Sequence, residues 1–416
     1  MIAVILVWLN KLANWLTPRR IRAQAIILAV CLWSVAIVDF SSHGLQDRAG
    51  NIKFQDFLVF YTSGELVMQH RSDELFDPQV RGREIQTVLG HSTQVQLPAM
   101  YGPQVGLFFA LFSQVSFLPA AVIWTIISIA IYLFGCYRIW RSCEELHSNR
   151  WLIFSVILAF PPFFHFVVRG QISSLVVLCF VAAYCAFKKN REWLAGFALG
   201  SLIFKPQFMI GIVVILLAGR AWKSIGGILV GLLLQMGLSW AYFGTAVMRT
   251  YVITLWRLPQ TIESLEPGVS QAQMHSLRSF WILVFPWPGI SGVFYVISSI
   301  AVLYIAARAW KSSGPLSLRF CILVLASVLV NPHLFIYDLL VLAPVFLLGS
   351  NWMIKHSGHP SSSGIRALLY LSFLLPLFGP IAIWTHVQLS VIAFLGLLII
   401  LVSILRESGM PHALDI

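Results

Sequence analysis

Gln388–Leu405 reads QLSVIAFLGLLIILVSIL, eighteen residues without a charge. A helix rises 1.5 Å per residue, so about 20 apolar residues cross the hydrocarbon core of a bilayer. Similar runs occupy roughly 21–40, 120–137, 151–168, 172–187, 193–204, 206–219, 224–243, 290–310, 316–331, 334–350, 366–385 and 388–405. This predicts an all-α polytopic integral membrane protein with about twelve transmembrane helices. A further run, 103–118, is bracketed by Gly102-Pro103 and Pro119, and is expected to dip in and return on one side. Composition agrees, with 58 % hydrophobic and 11 % charged residues, against about 25 % charged in soluble domains.

The net charge is +12, from 28 Lys+Arg against 16 Asp+Glu. In a membrane protein that excess marks basic cytoplasmic loops. No basic run has the length or aromatic interleaving of a nucleic-acid patch, so no nucleic-acid partner is expected. The six cysteines form no CxxC pair and fall almost entirely in apolar segments, which argues against a disulfide framework or a metal site. The N-terminal run before Pro18-Arg19-Arg20-Ile21-Arg22 reads as an interfacial helix ahead of the first anchor.

Basic clusters lie at Arg19–Arg22, Arg138–Arg150, Lys188–Arg191, Arg220–Lys223, Arg308–Lys311 and Lys355–Arg366. One threading puts all six in the cytoplasm. The outer face then receives loop 41–102, the turn Arg169-Gly170-Gln171, the turn Lys205-Pro206, loop 244–289 and the turn Asn331-Pro332-His333. Polar groups at membrane depth are costly and mark function, so their convergence predicts one outward-facing cavity. The chain reads as a single membrane domain, 1–416. Residues 1–245 form a module with outer loop 41–102, and 246–416 form C-terminal helices with outer loop 244–289.

Loop 41–102 holds seven of the 16 acids. Two interfacial helices are expected there: one near Asp56, in Phe54–His70 (FQDFLVFYTSGELVMQH), and one where Asp77 suits an N-cap and Pro78 the first helical position. One carboxylate among several basic side chains offers a general base beside cations that can hold an anionic group. Asp56 with Arg169, Lys205, Arg278, His275 and His333 is that inventory; Gln171, Tyr61 and Tyr101 are candidate substrate contacts. Each has a plainer reading. Asp56 suits an N-cap, Lys205 can snorkel to the interface, Arg278 and His275 can anchor a membrane return, His333 can complete a helix end, and tyrosines gather at interfaces.

Several stretches taken together resemble glycosyltransferase family 87. They are Asp56-Phe57-Leu58-Val59-Phe60-Tyr61 with Leu75-Phe76-Asp77, Tyr101-Gly102-Pro103, Gly170-Gln171-Ile172-Ser173-Ser174-Leu175, and Ala195-Gly196 leading to Lys205-Pro206. Met274-His275-Ser276-Leu277-Arg278 and Asn331-Pro332-His333 carry it more faintly. The resemblance implies the C-type glycosyltransferase membrane fold in the plasma or inner membrane, with the active site on the extracytoplasmic face. It implies transfer of mannose, arabinofuranose or another sugar from a polyprenyl-phosphate donor to a lipid or glycan acceptor, without a cofactor. It places the base at Asp56; His333 is a second catalytic candidate from the versatility of histidine itself. Asp56 stands alone rather than in an Asp-Asp or Asp-x-Asp pair, which points away from a metal. Two other readings compete: a secondary transporter or lipid-carrier flippase, suggested by the broken helices although no internal repeat is found and Asp338 is the only acid well inside a candidate span, and a polysaccharide polymerase or ligase.

Overall fold

The computed structural model describes residues 2–90, 100–265 and 269–408. Residues 91–99 of the first outer loop and 266–268 of the second lie outside the described residues. The chain opens with α1 (Ile2–Trp15) and α2 (Pro18–Phe40), which starts where Thr17 Oγ1 accepts from Arg20 N and Pro18 supplies the first helical φ. The first outer loop folds into α3 (Gln55–Met68), α4 (Pro78–Leu89) and the short α5 (Pro103–Phe109). Asp77 caps α4 by accepting from Gln79 N and Val80 N, and Gly90 ends it in the left-handed conformation.

Then follow α6 (Phe117–Trp140), α7 (Arg150–Ala159), α8 (Pro161–Arg169), α9 (Ser173–Lys188), α10 (Glu192–Gly200) and α11 (Met209–Ala218). The second half holds α12 (Trp222–Leu265), α13 (Val269–Ala272), α14 (Leu277–Val284), α15 (Pro288–Lys311) and α16 (Leu316–Leu329). It closes with α17 (Ala343–Lys355), α18 (Ser362–Leu374), α19 (Ala382–Thr385) and α20 (Leu389–Ser408).

Each of the twelve expected apolar segments contains helix, but not twelve uniform spans. Among the described residues seven helices are long and apolar enough to cross a membrane, and a pair bent by 51°, Glu144–Ala159 with Pro161–Arg169, makes an eighth. Ser173–Lys188, Glu192–Phe204, Pro206–Ala218 and Leu316–Leu329 are shorter apolar helices. Pro161-Pro162 explains the bend, because proline removes an N–H and clashes with the preceding turn. The 103–118 run forms only α5 and a 3₁₀ turn before α6 begins.

Loop 244–289 is not an open connector. Helix α12 runs on to Leu265 across a kink at Gly244, whose φ of 76° and ψ of 175° are readily available to glycine.

Beyond Arg319 helix α16 is almost wholly apolar, and eleven of its residues are buried, as expected of a helix at the centre of a bundle. Around it α9, α11, α17 and α20 share one hydrophobic core that runs from Tyr132 to Leu405 and ignores position 245. The outer helices leave apolar side chains exposed, such as Ile27 and Val30 on α2 and Ile297 and Ile300 on α15, which is the surface a lipid solvent requires. Helices α10 and α12 cross at backbone contact. A Cβ on Gly196 would meet Ser224 O at 2.0 Å and one on Gly227 would meet Trp193 O at 2.2 Å. This is the small-residue crossing used between membrane helices.

In the first outer loop Arg71 joins the end of α3 to α4, pairing with Glu74 and with Glu84, each at 2.7 Å. Glu65 on α3 sits beside this group. Burial, then the charge of Glu84, pushes its carboxyl up to about 7. A raised folded pKa means that the folded state holds the proton more tightly than the unfolded chain does. Stability from Glu65 is therefore present below about pH 4.5, declines as pH rises through the window to about 7, and stays lost above it. Glu65→Gln should raise the thermal midpoint at pH 8 and leave it nearly unchanged at pH 4, which melts at the two pH values check.

Candidate active site

Asp56 enters from the first turn of α3. The residue before the helix is Phe54, in the left-handed region at φ 53°, and it makes no side-chain cap. Its ring is held edge-on against Phe40, with centroids 5.2 Å apart, so packing sustains a conformation that costs a non-glycine residue about 1–2 kcal/mol. The N-cap reading of Asp56 is therefore overturned. Its carboxylate points across the bundle instead, where Oδ2 accepts from Gln171 Nε2 at 2.9 Å and Oδ1 lies 3.5 Å from Arg169 Nη1.

Arg169 and Gln171 flank Gly170, which ends α8 at φ 68°. Gly170 is pinned on both sides: its carbonyl accepts from Trp124 Nε1 at 3.2 Å, and an added Cβ would lie 2.8 Å from Phe57 Cβ. Gly170→Ala should cost about 1–3 kcal/mol through overpacking and the positive φ. It should also lower activity, because the turn presents both residues to Asp56. Parallel melting and transfer assays check this.

The Gln171 carboxamide is the hub. Its Oε1 takes Lys205 Nζ and the Tyr101 hydroxyl, each at 3.5 Å, and Ile172 N at 3.1 Å. Gln171 is buried, so the structure makes it a relay between side chains rather than a free partner for sugar hydroxyls. Lys205 leaves the helical region before Pro206, at φ −129° and ψ 71°, in keeping with the bias of a residue that precedes proline away from helix. It does not snorkel. Its Nζ is inside the protein, 2.5 Å from Asp338 Oδ1 and 3.2 Å from Ser173 Oγ, and Ser173 Oγ itself donates to Asp338 Oδ1 at 2.8 Å.

The side chains grade from outside to inside: Arg169 is 34 % exposed, Asp56 14 %, Asp338 2 % and Lys205 1 %. Asp56 is thus the acid of this network that a substrate can reach. Asp338 and Ser173 belong to the constellation although neither is singled out above as a site residue. The available signal was an acid inside one apolar run and a lysine breaking another, which together predict a buried pair.

His333 lies in the turn between α16 and the 3₁₀ segment Ile336–Leu342. Its backbone N–H donates to Asn331 Oδ1 at 2.9 Å and its ring stands edge-on to Phe335. Both ring nitrogens are buried without a partner among the described residues. Burial pushes its pKa down to about 4, against the opposing pull of Asp338 and with help from Arg278 and Lys205, so the ring is neutral at pH 7. Arg278 Nη1 donates to Pro332 O at 3.4 Å, which ties it to the same turn. Tyr337 connects the two halves: Phe335 stacks on it, and Arg169 and Lys205 lie 6.0 and 5.4 Å from its ring centre.

Two expected residues are not brought to this network. The Tyr61 hydroxyl donates to Val115 O at 2.9 Å, and its ring packs with Phe57 and Phe117 in the loop's own core. His275 is buried against α20, with Nδ1 2.8 Å from Ser390 Oγ, while its backbone N–H donates to Leu334 O at 3.0 Å. Its part is to pin the second outer loop to the His333 turn. Among the described residues no three His, Cys, Asp or Glu side chains converge to hold a metal ion.

A family model described as glycosyltransferase family 87 matches residues 99–332. No curated protein and no solved structure matches the chain. The matched stretch takes in Tyr101, Arg169, Gln171, Ser173, Lys205, His275 and Arg278; Asp56 lies before it, and His333 and Asp338 after it.

Proposed function

The chain belongs to glycosyltransferase family 87, whose model spans more than half of its residues, and from that premise we propose that this membrane glycosyltransferase uses a polyprenyl-phosphate-linked sugar as donor. The acceptor is a lipid- or glycan-borne hydroxyl, and transfer takes place on the extracytoplasmic face of the cell membrane. The observation that carries the reading is the setting of Asp56, a reachable carboxylate fixed by Arg169 and Gln171 in a chain built for the bilayer. The basic clusters support this orientation, with the Asp56 end of the bundle outside.

In the proposed step Asp56 takes the proton of the acceptor hydroxyl while its oxygen attacks the anomeric carbon. The bond from that carbon to the phosphate oxygen breaks, and its electron pair leaves with the polyprenyl phosphate. Arg169 and Arg278 are the reachable cations for the phosphate charge. His333, neutral and without a ring partner among the described residues, can donate one hydrogen bond to the same group. Lys205 is spent on Asp338, so it positions Gln171 instead of gripping phosphate. Mannose is the sugar we favour, by family resemblance alone.

The test supplies membranes carrying the protein with polyprenyl-phosphate mannose or with the matching nucleotide sugar. Transfer from the first and not the second supports the reading. Transfer from the nucleotide sugar alone, or flux of lipid carrier without transfer, defeats it.

A further inference from the structure

A cavity of about 600 Å³ lies away from Asp56, enclosed by α2, α6, α7, α17 and α18. That is within the range of pockets that hold a whole small ligand, about 300–1,000 Å³. Its walls are almost wholly apolar. Toward one end Phe160, Phe346 and Phe373 pack together in its wall, with ring centres 5.4 to 6.2 Å apart, and Leu374, Leu377 and Phe378 continue the lining. The other end reaches Pro18, Asn149 and Arg366, where α2, α7 and α18 all begin. Three helix N-termini therefore bring their partial positive charge to that mouth. Arg19 and Arg22 stand exposed on the first turns of α2. The Arg366 guanidinium donates to Ala13 O at 3.3 Å and pairs with no carboxylate among the described residues. Between α2 and α18, Tyr370 donates to Gln24 Oε1 at 2.9 Å, and both residues line the cavity.

We propose that this cavity holds an acyl chain of an anionic phospholipid drawn from the leaflet at the basic end, with its phosphate on Arg366 and beside Arg22. Charge complementarity selects this occupant. Arg366, the charged residue that lines the cavity, stands at one mouth, and the opposite end offers only phenylalanine and leucine. A donor's polyprenyl tail does not fit as well. Its phosphate belongs at Arg169, and α8 places Arg169 about 13 Å beyond Phe160, past the three packed phenylalanines. A lipid here would brace α2, whose outward face is otherwise open to the bilayer.

The full-length protein, purified in a neutral maltoside detergent, is melted with dioleoyl phosphatidylglycerol, with dioleoyl phosphatidylcholine, and with polyprenyl phosphate. Phosphatidylglycerol should raise the midpoint by several degrees and phosphatidylcholine should not. Arg366→Gln should abolish the difference between the two lipids, and Leu369→Trp, which fills the cavity, should abolish the rise itself. Three results overturn the proposal: equal effects of the two phospholipids on the wild type, an undiminished phosphatidylglycerol effect in Arg366→Gln, or preferential stabilisation by polyprenyl phosphate that Arg366→Gln removes. Arg366→Gln alters only a polar mouth, so the test stands even if Leu369→Trp does not fold.

Discussion

Asp56→Asn is expected to lower kcat by about 10²–10⁴-fold, the usual contribution of a positioned general base, with little change in the KM for the donor. The geometry makes this a test of chemistry and not of folding. Asparagine keeps an oxygen that can accept from Gln171 Nε2, the 2.9 Å contact that holds the side chain. It loses the proton-accepting charge and the 3.5 Å pairing with Arg169, a half-exposed ion pair worth about 0–1 kcal/mol. Melting should therefore barely move while transfer collapses. Asp56→Glu, which restores the charge one methylene farther out, should recover part of the rate. Glu65→Gln is the matched control, about two and a half turns along the same helix and outside the network. Unaltered transfer by Asp56→Asn would remove Asp56 as base and return the search to His333.

The bundle was legible because apolar runs of membrane length admit few other readings, and the basic clusters ordered them. The break at Pro206 was legible because proline stood between two apolar runs, whereas the bend at Pro161 was not, since 151–168 reads as one run of membrane length. The reach of α12 was not, because Gly244 reads locally as a stop while the apolar pattern weakens gradually beyond it. Part of the site was present in helical geometry. Tyr61 is five residues from Asp56, about 140° around a helix of 3.6 residues per turn, so the two face different ways. Phe60, four residues on, does reach Tyr101, with ring centres 4.9 Å apart. The pairing of Lys205 with Asp338 was beyond local reading, since 133 residues separate them. In the sequence Asp338 is a single acid inside an apolar run, with no partner in view. Closed on Lys205 and Ser173, it is instead the anchor of the relay to Asp56.

That anchor yields the second large effect. Removing one partner of a buried ion pair leaves an uncompensated charge, at about 3–5 kcal/mol, so Lys205→Met and Asp338→Leu should each melt far below wild type or fail to accumulate. The double variant Lys205→Met/Asp338→Leu should regain most of the loss, because an apolar pair of similar volume is often neutral or better. The thermodynamic cycle is expected to show strong coupling between the two sites. Activity separates structure from function. If the pair only supports the core, the double variant should transfer sugar at the wild-type rate. If it positions Gln171, the double variant should stay well below wild-type kcat at near-normal donor KM, because Gln171 Oε1 has lost the ammonium that orients its amide toward Asp56. We expect the latter. Gln171 is bound to the acid on one side and the lysine on the other, and a displacement of about 1 Å at such a hinge can cost 10²-fold in rate.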